Sequence, residues 1–367
     1  MRRLTAAMIV RNEAAFIEDC LQSLAGTVDE IILVDTGSTD DTLNKASRFP
    51  VSIHHFAWCD DFAAARNHAL DRATGDWILY IDADERFRVG DRTLLRQTLD
   101  DDGKVAWNLR FHPRVGWTPY SELRLFRNDP RIRFRGAIHE QMREGIDAVA
   151  KADHLSIGDC DLAIQHVGYE DDQTRKNDRN IPMLRARLAR EPDHLFSWWH
   201  LGQCLSLAGD DEGAMEAWAS GIKAAKRVPA SSRKISDALC AASLIRMRLQ
   251  HALDTSATLH EAIELYPDHL SLRWIEATSA LKRSDTETAR PLLERLAAID
   301  PDTFFDRFVA YDKSIFRHFA KEALALCYFR EERFADAARL YRQAAEYSPD
   351  REACQIKARL AELKAAP

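Results

Sequence analysis

The sequence lacks several features that would place it in familiar classes of protein. Its 367 residues contain no apolar run that approaches the roughly 18 residues of a membrane-spanning helix. The seven cysteines are odd in number and scattered, and no two of them form a Cys-x-x-Cys pair, which argues against a disulfide framework and a zinc ribbon. Lys and Arg total 51 against 58 Asp and Glu, so the net charge of −7 gives no support to nucleic-acid binding.

Two common nucleotide-binding signatures are also missing. No Gly-x-Gly-x-x-Gly occurs, which excludes the dinucleotide fingerprint, and no Gly-x-x-x-x-Gly-Lys-Ser/Thr occurs, which excludes a P-loop enzyme. The opening "MRRLTAAMIV" has two arginines and a short apolar run, but no small-residue cleavage site follows it. The pattern favours a first strand over a signal peptide, and we therefore expect a cytoplasmic protein.

Residues 1 to about 140 alternate short apolar runs with helical segments. The runs "LTAAMIV" (4–10), "EIILVD" (30–35), "VSIHHF" (51–56) and "WILYID" (77–82) have the length of buried parallel strands. Each of the first three is followed by a segment with helical spacing or N-cap residues. This order predicts a doubly wound α/β sheet.

From about residue 175 onward, helical segments replace the strands, and a 34-residue period is present. Pro267 and Pro301 are 34 residues apart, and each is followed by Asp. The spacing matches tetratricopeptide (TPR) units, an ordinary helical bundle being the alternative. We therefore predict an α/β domain over 1–172 and a TPR-like helical domain over 173–367, whose concave groove would serve a peptide or protein partner or a homodimer. The matching residues are Trp198, Leu201, Gly202, Leu205, Ala214, Trp218, Ala325, Tyr328, Ala337, Tyr341, Ala344 and Pro349.

Polar residues follow three of the predicted strands. Arg11 and Asn12 follow the first strand, Asp35 ends the second, and "DADE" (82–85) ends the fourth. In an open parallel sheet the carboxyl ends of the strands form the ligand crevice, so these residues should converge there. An Asp-x-Asp at a strand end offers hard oxygen ligands to Mg²⁺ or Mn²⁺, which can in turn hold a diphosphate. On an extended chain, Asp82 and Asp84 would point to the same side, as shared ligation of one metal requires.

At this point the chain resembles a known enzyme family. The run "AMIVRNEAAFIEDCLQSL…DEIILVDTGSTDDT…DFAAARNHAL…GDWILYIDADE" is similar to the nucleotide-sugar half of family-2 glycosyltransferases with the GT-A fold, a Rossmann-like architecture. The later elements "RLFRN", "GAIHEQM" and "HVGYEDDQTRKNDRN", followed by TPR units, resemble the sublancin-type peptide S-glycosyltransferase branch.

The resemblance implies roles for several residues. It places Asp35 on the uracil or ribose of a UDP-sugar with Arg11 and Asn12 beside it, and Asp82 near the ribose or the metal. Asp84 would bind Mn²⁺ or Mg²⁺ directly, and the metal would stabilise the leaving diphosphate as a Lewis acid. The remaining pocket residues implied by the resemblance are Arg66 and Asn67, for which a solvated helix face is the alternative.

An inverting transfer also needs a base for the acceptor. We favour Glu140 in "GAIHEQM", with His139 as a site or metal contact, and expect a strand there to point the two to opposite faces. Asp60 and Glu122 are weaker alternatives for the base. His166 is a candidate to complete the metal site, because related GT-A enzymes often add a distant His; a structural role is the alternative.

The stretch "RLFRNDPRIRFRG" (124–136) alternates arginines with apolar residues, which predicts a half-buried strand. Its arginines would lie on a solvated strand face, or one or two of them would balance the diphosphate and the acidic cluster. We expect Arg124 and Arg127 to take that second role.

These observations predict a metal-dependent enzyme that transfers a hexose or N-acetylhexosamine, with inversion, from a UDP-sugar to a peptide or protein side chain. The alternative within the same class is a transferase that builds surface polysaccharide or lipopolysaccharide. A different class, a non-catalytic TPR adaptor with a degenerate GT-A domain, predicts loss of the acidic residues, yet Asp82, Asp84 and Glu85 are all present. We expect no nucleic-acid partner and no membrane span.

Overall fold

The computed structural model describes residues 2–168, 173–229, 233 and 235–366. The chain divides into two compact units. The first unit runs through Val115 and resumes from Tyr120 to Glu191, and the second consists of Gly116–Pro119 and the chain from Pro192 onward. The boundary expected between residues 172 and 173 stays a prediction.

In its described residues, the first unit forms an eight-stranded sheet with helices on both faces. Its strands are β1 (Leu4–Val10), β2 (Glu30–Asp35), β3 (Ser52–His55), β4 (Trp77–Tyr80), β5 (Glu85–Arg88), β6 (Lys104–His112), β7 (Tyr120–Arg127) and β8 (Ser156–His166). Its helices are α1 (Ile17–Leu24), α2 (Thr42–Ala46), α3 (Phe62–Leu70), α4 (Arg92–Asp100), α5 (Arg143–Ala152) and α6 (Gln173–Arg190).

The strand order in this sheet is β3-β2-β1-β4-β7-β6-β8-β5. The four strands expected from the apolar runs, β1 to β4, are parallel neighbours. Strand β7 joins β4 in the antiparallel direction and β6 joins β7 in the same way, so the sheet is mixed. Long connections bring β8 beside β6 and β5 beside β8, which places the start of β5 against the end of β8.

Alternation of side chains explains why the strands read as continuous apolar runs. In β1, Met8 packs into the core on the face covered by α1, whereas its neighbour Ala7 packs on the face covered by α3. In β4, Leu79 lies on the first face and Ile78 on the second. Because both faces of β1 and β4 are covered, these two strands need apolar residues at nearly every position.

Two expectations about strands in residues 124–140 are wrong. In the basic stretch (124–136), only the first part, which includes Arg124 and Arg127, belongs to a strand, because β7 ends at Arg127 and the residues that follow form turns and irregular backbone. The "GAIHE" segment is not a strand either. Gly136 has φ +100° and His139 φ +54°, so the backbone bends twice and the expected alternation of His139 and Glu140 does not apply.

The second unit is built from helices. They are α7 (Leu195–Leu207), α8 (Asp211–Ala225), α9 (Ser236–Gln250), α10 (Ser256–Leu265), α11 (Leu270–Lys282), α12 (Thr286–Ala297), α13 (Ala320–Arg330), α14 (Phe334–Ala345) and α15 (Arg351–Ala365). A π-helical turn, Ile315–Phe319, precedes α13. Successive helices pack in pairs, as the 34-residue period predicts.

The repeat positions identified in the sequence form the contacts between helices. Ala325, Ala337 and Ala344 are fully buried between helices, and Tyr341 packs into the same core. Gly202 in α7 lies directly against the indole of Trp218 in α8, where a larger side chain would collide.

The expected fold class, a GT-A-like α/β domain followed by a TPR-like helical region, is confirmed. Across the described ranges, no helix combines the length and apolar character needed for a membrane crossing.

Candidate functional site

The carboxyl ends of β1, β2 and β3 lie side by side. Val10 is in register with Asp35, and Asp35 is in register with His55. The buried Asp35 carboxylate accepts hydrogen bonds from the backbone N–H groups of Gly37 (3.2 Å) and Ser38 (3.0 Å). The His55 Nδ1 lies 3.5 Å from the Asp35 carboxylate, a neighbour that we did not predict.

Asn12 joins this edge to the loop that follows β2. Its backbone has φ +58°, a conformation that Asn tolerates better than most residues, and its N–H donates to the Ser38 hydroxyl (3.0 Å). Its side-chain oxygen accepts from the Thr39 N–H (2.7 Å). The neighbouring Arg11 is exposed at the same edge. Arg11, Asn12 and Asp35 therefore lie at one edge of the sheet, while their convergence with residues 82–85 in one crevice and their contacts with a nucleotide stay predictions.

The Asp-x-Asp motif forms a tight turn between β4 and β5. The Glu85 N–H donates to the Asp82 carbonyl (3.0 Å), and the Asp82 N–H donates to the Glu85 carboxylate (2.9 Å). The expectation that Asp82 and Asp84 point the same way along an extended chain is therefore wrong. The turn sends the two carboxylates to different partners, Arg66 and His166.

Glu85 is the buried anchor of this turn. Arg124 of β7 donates to both of its carboxylate oxygens, at 2.8 Å and 3.1 Å, a bidentate pair. Burial raises the pKa of Glu85, and the Arg124 guanidinium opposes that rise. Arg124 also donates to Glu122 (3.2 Å) and lies over the ring of Tyr80. Arg124 thus balances Glu85 of the acidic cluster, as expected, and fixes the turn, while a role in balancing a diphosphate stays a prediction.

Asp84 and His166 meet although they are far apart in the sequence. The pairing of β5 with β8 places His166 opposite Glu85, and the His166 Nε2 lies 3.2 Å from the Asp84 carboxylate. The other ring nitrogen, Nδ1, lies 3.1 Å from the Pro113 carbonyl. Gly168 allows this approach, because a Cβ there would come within 2.3 Å of the Asp84 carboxylate. Burial lowers the pKa of His166, but the interaction with Asp84 outweighs it and raises the pKa.

Arg66 of α3 links two further predicted residues. Its Nη2 donates to Asp82 (2.9 Å) and its Nε donates to Glu140. The guanidinium also lies over the rings of Tyr80 and Phe134. Burial disfavours its charge, but Asp82 and Glu140 outweigh that effect and raise the pKa of Arg66. The sequence suggested a nucleotide contact for Arg66, and in the structure it is paired with two carboxylates.

Asn67, on the same helix, has a structural role in this arrangement. Its amide nitrogen donates to the Phe134 carbonyl (2.9 Å), and its amide oxygen accepts from the Phe134 N–H (2.9 Å). A nucleotide contact for Asn67 stays a prediction.

The weaker candidates for the base are also paired: Asp60 accepts from the Trp58 indole (2.8 Å), and Glu122 accepts from Arg124.

The Asp84 carboxylate and Nε2 of His166 offer two of the ligand atoms that a divalent cation needs. The Pro113 carbonyl can only accept, so Nδ1 of His166 carries a proton, and in the neutral ring the Nε2 lone pair then faces the Asp84 carboxylate. Two electron-rich groups held this way suit one cation, with Pro113 orienting the ring from behind. Within the described residues, no three His, Cys, Asp or Glu side chains gather as a metal site. Asp82 as a further ligand therefore stays a prediction.

Comparison with known proteins identifies the family to which the first part of the chain belongs. Residues 5–180 match the description "Glycosyl transferase family 2", and this stretch of the chain is a glycosyl transferase family 2 domain. The sequence motif "HVGYEDDQTRKNDRN" lies at the end of this match, although its residues 169–172 fall outside those that the structure describes. The predicted resemblance is confirmed.

Three relatives are similar to the chain over different lengths. A TPR repeat-containing protein of Synechococcus elongatus is 37% identical over 238 residues, which is 63% of this chain and 59% of the relative. Glycosyltransferase SunS of Bacillus phage SPbeta is 28% identical over 283 residues, 72% of this chain and 63% of the relative. The lipopolysaccharide core biosynthesis glycosyltransferase LpsC of Rhizobium meliloti is 32% identical over 154 residues, 39% of this chain and 56% of the relative. The chain thus spans about three fifths of the length of these relatives.

Proposed function

We propose that the protein transfers a glycosyl group, with inversion, from a UDP-sugar to a nucleophilic acceptor. The family 2 domain supports the reaction class. The observation that carries the proposal is the pairing of Asp84 with His166 (3.2 Å) in the turn that follows β4, a turn that also contains Asp82. A half-buried Asp and a half-buried His, whose second ring nitrogen is held by a carbonyl, would supply two protein ligands to a cation.

Asp84 and His166 would hold Mn²⁺ or Mg²⁺, with Asp82 beside them. When bound, the cation would supply Lewis-acid stabilisation to the leaving diphosphate. The Asp35 carboxylate, held by the backbone N–H groups of Gly37 and Ser38, lies at the adjacent edge, where it would accept hydrogen bonds from the nucleoside. The exposed Arg11 at the same edge would add positive charge near the phosphates.

Glu140 is the proposed base for the acceptor. Its carboxylate is mostly buried and held by Arg66, which also holds Asp82 beside the proposed metal site. One guanidinium therefore sets the separation between the base and the Asp-x-Asp turn. A base must lie within hydrogen-bond reach of the acceptor proton, so this fixed separation would orient the reaction. His139 stays a prediction as a further site contact.

The acceptor is proposed to be a Cys, Ser or Thr side chain of a peptide or protein. This choice is supported by the similarity to glycosyltransferase SunS, which extends over more of the chain than the family 2 domain does. The helical unit would then bind the peptide. A glycan acceptor is the second candidate, because the similarity to LpsC reaches 32% identity over a shorter stretch.

A panel of nucleotide sugars tests the reaction. Release of the nucleoside diphosphate from UDP-glucose, UDP-N-acetylglucosamine and GDP-mannose would be measured with Mn²⁺, with Mg²⁺ and with EDTA. We expect turnover of a UDP-sugar that EDTA abolishes and that Asp84→Ala lowers by about 10³-fold or more, the scale of losing a main electrostatic contact in the transition state. The control is Asp100→Asn, an exposed residue at the end of α4.

Two outcomes would contradict the proposal. Turnover that ignores both EDTA and Asp84→Ala would exclude the metal mechanism, and binding of nucleotide without any turnover would favour the adaptor reading. With a donor in hand, a Cys-, Ser- and Thr-containing peptide library and a lipopolysaccharide core preparation would be compared as acceptors. Transfer to the glycan alone would replace the peptide acceptor with the second candidate.

A further inference from the structure

The segment that carries Glu140 is a closed loop. The Arg135 N–H donates to the Gln141 carbonyl (2.9 Å), and the Gln141 N–H donates to the Arg135 carbonyl (3.0 Å). Between these two residues the backbone passes twice through positive φ, at Gly136 and His139. For His139 this conformation has a steric cost, so contacts outside the loop must hold it.

Three successive carbonyl groups of this loop accept hydrogen bonds from outside it. The Ala137 carbonyl accepts from the N–H of Phe62, the first residue of α3 (2.9 Å). The Ile138 and His139 carbonyls both accept from Nη1 of Arg187, the second at 3.2 Å. Arg187 lies on α6, almost fifty residues further along the chain.

Arg187 is itself held in place. Its Nε and Nη2 donate to Glu191, one turn further along the chain, at 3.3 Å and 3.2 Å. Its guanidinium lies flat against Gly136, where a Cβ would come within 3.2 Å of Nη1. The side chain is only 11% exposed. Gly136 thus allows both the bend of the loop and the close approach of the arginine.

We propose that Arg187 is a positioning residue that sets the location of Glu140. The two residues nearest Glu140 on its N-terminal side have their carbonyls on Arg187, while the Glu140 carboxylate is held by Arg66. The inference rests on the proposed function in one respect, the role of Glu140 as base. Among the described residues, the hydrogen bonds of Arg187 run to Ile138, His139 and Glu191, and none runs to the proposed metal ligands or the nucleoside edge.

A double-mutant cycle tests the coupling between Arg187 and Glu140. Release of UDP from UDP-glucose and UDP-N-acetylglucosamine would be measured in Arg187→Met, Glu140→Gln and the double variant. We expect Arg187→Met to lower kcat by about 10- to 100-fold with KM changed by less than about twofold, because displacing a base by about 1 Å costs this much. In the Glu140→Gln background the same substitution should change kcat by less than about threefold.

Two further variants test whether the loss of kcat is specific to the guanidinium of Arg187. Arg190→Met changes an exposed arginine of the same helix whose hydrogen bond, among the described residues, runs to the Ala186 carbonyl of its own helix, and it should leave kcat unchanged. Arg187→Lys keeps the charge but loses the planar fork, so its kcat should fall between those of Arg187→Met and the wild type. The inference is overturned by equal losses from Arg187→Met in both backgrounds, by no loss in either, or by a rise in KM with kcat unchanged.

Hydrogen exchange separates this inference from the proposed function. Exchange at the amides of residues 136–141 should be about tenfold faster in Arg187→Met, and unchanged in Arg190→Met, whether or not the protein turns over a sugar nucleotide. Absence of wild-type turnover would overturn the proposed function alone. Unchanged exchange in Arg187→Met would overturn the inference even in an active enzyme.

Discussion

The two units of the chain differ in how they treat the polar side chains that they bury. In the first unit, Arg66, Glu85 and Arg124 are almost fully buried and paired with one another or with Asp82, Glu122 and Glu140. In the second, His269 and His318 are equally buried, and neither ring nitrogen of either residue has a hydrogen-bond partner among the described residues.

The contrast reflects two different functions of buried polarity. A buried ion pair is stable only in good geometry, so it fixes the positions of the elements that carry it. An imidazole can instead be buried in its neutral form at a smaller cost, as a ring among aromatic neighbours. His269 lies against Tyr311, with ring centres 5.7 Å apart, and burial lowers its pKa to about 4. The first unit thus uses buried charge for geometry around the candidate site, whereas the second unit buries these two imidazole rings for packing.

The largest effect should come from breaking the pair between Arg124 and Glu85. Arg124→Met leaves Glu85 buried without its bidentate partner, which should destabilise the first unit by about 3–5 kcal/mol. Hydrogen exchange in β4 and β7 would measure the change. Arg110→Met is the matched control, because Arg110 on β6 pairs with Asp161 at the surface, where such a pair contributes about 0–1 kcal/mol.

A second variant tests whether the unpaired charge of Glu85 causes the loss of stability in Arg124→Met. Adding Glu85→Gln to Arg124→Met removes the isolated charge and keeps an acceptor for the Asp82 N–H, so it should recover part of the stability. A loss in Arg124→Met no larger than in Arg110→Met would show that the buried pair does not fix the turn.

The next largest effect should be a loss of stability of the second unit at acid pH. The folded-state pKa of His269, about 4, lies below the ordinary value near 6.5, so the unfolded state binds the proton first. Stability is therefore complete above about pH 6.5 and falls as the pH drops toward 4, by up to about 3 kcal/mol. Asp306 opposes the shift, and Arg246 adds to it.

Substituting His269 by Phe tests this pH dependence. Hydrogen exchange in α11 at pH 7.0 and at pH 4.5 should show a smaller pH-dependent loss of protection in His269→Phe than in the wild type. Equal losses in the two proteins would mean that His269 titrates normally in the folded state.

The smallest effect concerns packing between repeat helices. Alanine is favoured over glycine inside a helix by about 1 kcal/mol, yet a Cβ at Gly202 would come within 2.2 Å of the Trp218 indole. Overpacking costs about 1–3 kcal/mol, so after this gain Gly202→Ala should destabilise the second unit by up to about 2 kcal/mol. Leu207→Ala, at an exposed position of the same helix, should change stability by less than about 0.5 kcal/mol in denaturant titrations. A stabilising Gly202→Ala would mean that α7 and α8 separate easily.

The parts of this fold that could be predicted are those that local patterns dictate. Strands buried on both faces read as continuous apolar runs, so β1, β2 and β4 were found together with the polar residues at their ends. The repeat in the second half was visible because small residues recur wherever two helices touch, as at Gly202.

The rest depends on contacts between distant segments. Asp84 and His166 were named from a resemblance, and only the pairing of β5 with β8 explains their contact. The turn at 82–85 was misread as extended, because its geometry depends on Arg124, a residue of a strand that pairs with β4 in the opposite direction. Arg187 gave no local signal, since an arginine on a polar helix resembles any solvated residue.

Manganese binding tests the central claim most directly. Free Mn²⁺ would be measured by electron paramagnetic resonance during titration of the wild type, Asp84→Asn, and the Asp100→Asn control, each with UDP present. We expect one Mn²⁺ per chain in the wild type and the control, and at least about tenfold weaker binding in Asp84→Asn, whose amide is a poorer ligand for a hard cation. Equal Mn²⁺ affinity in all three proteins would contradict a cation site at Asp84 and His166.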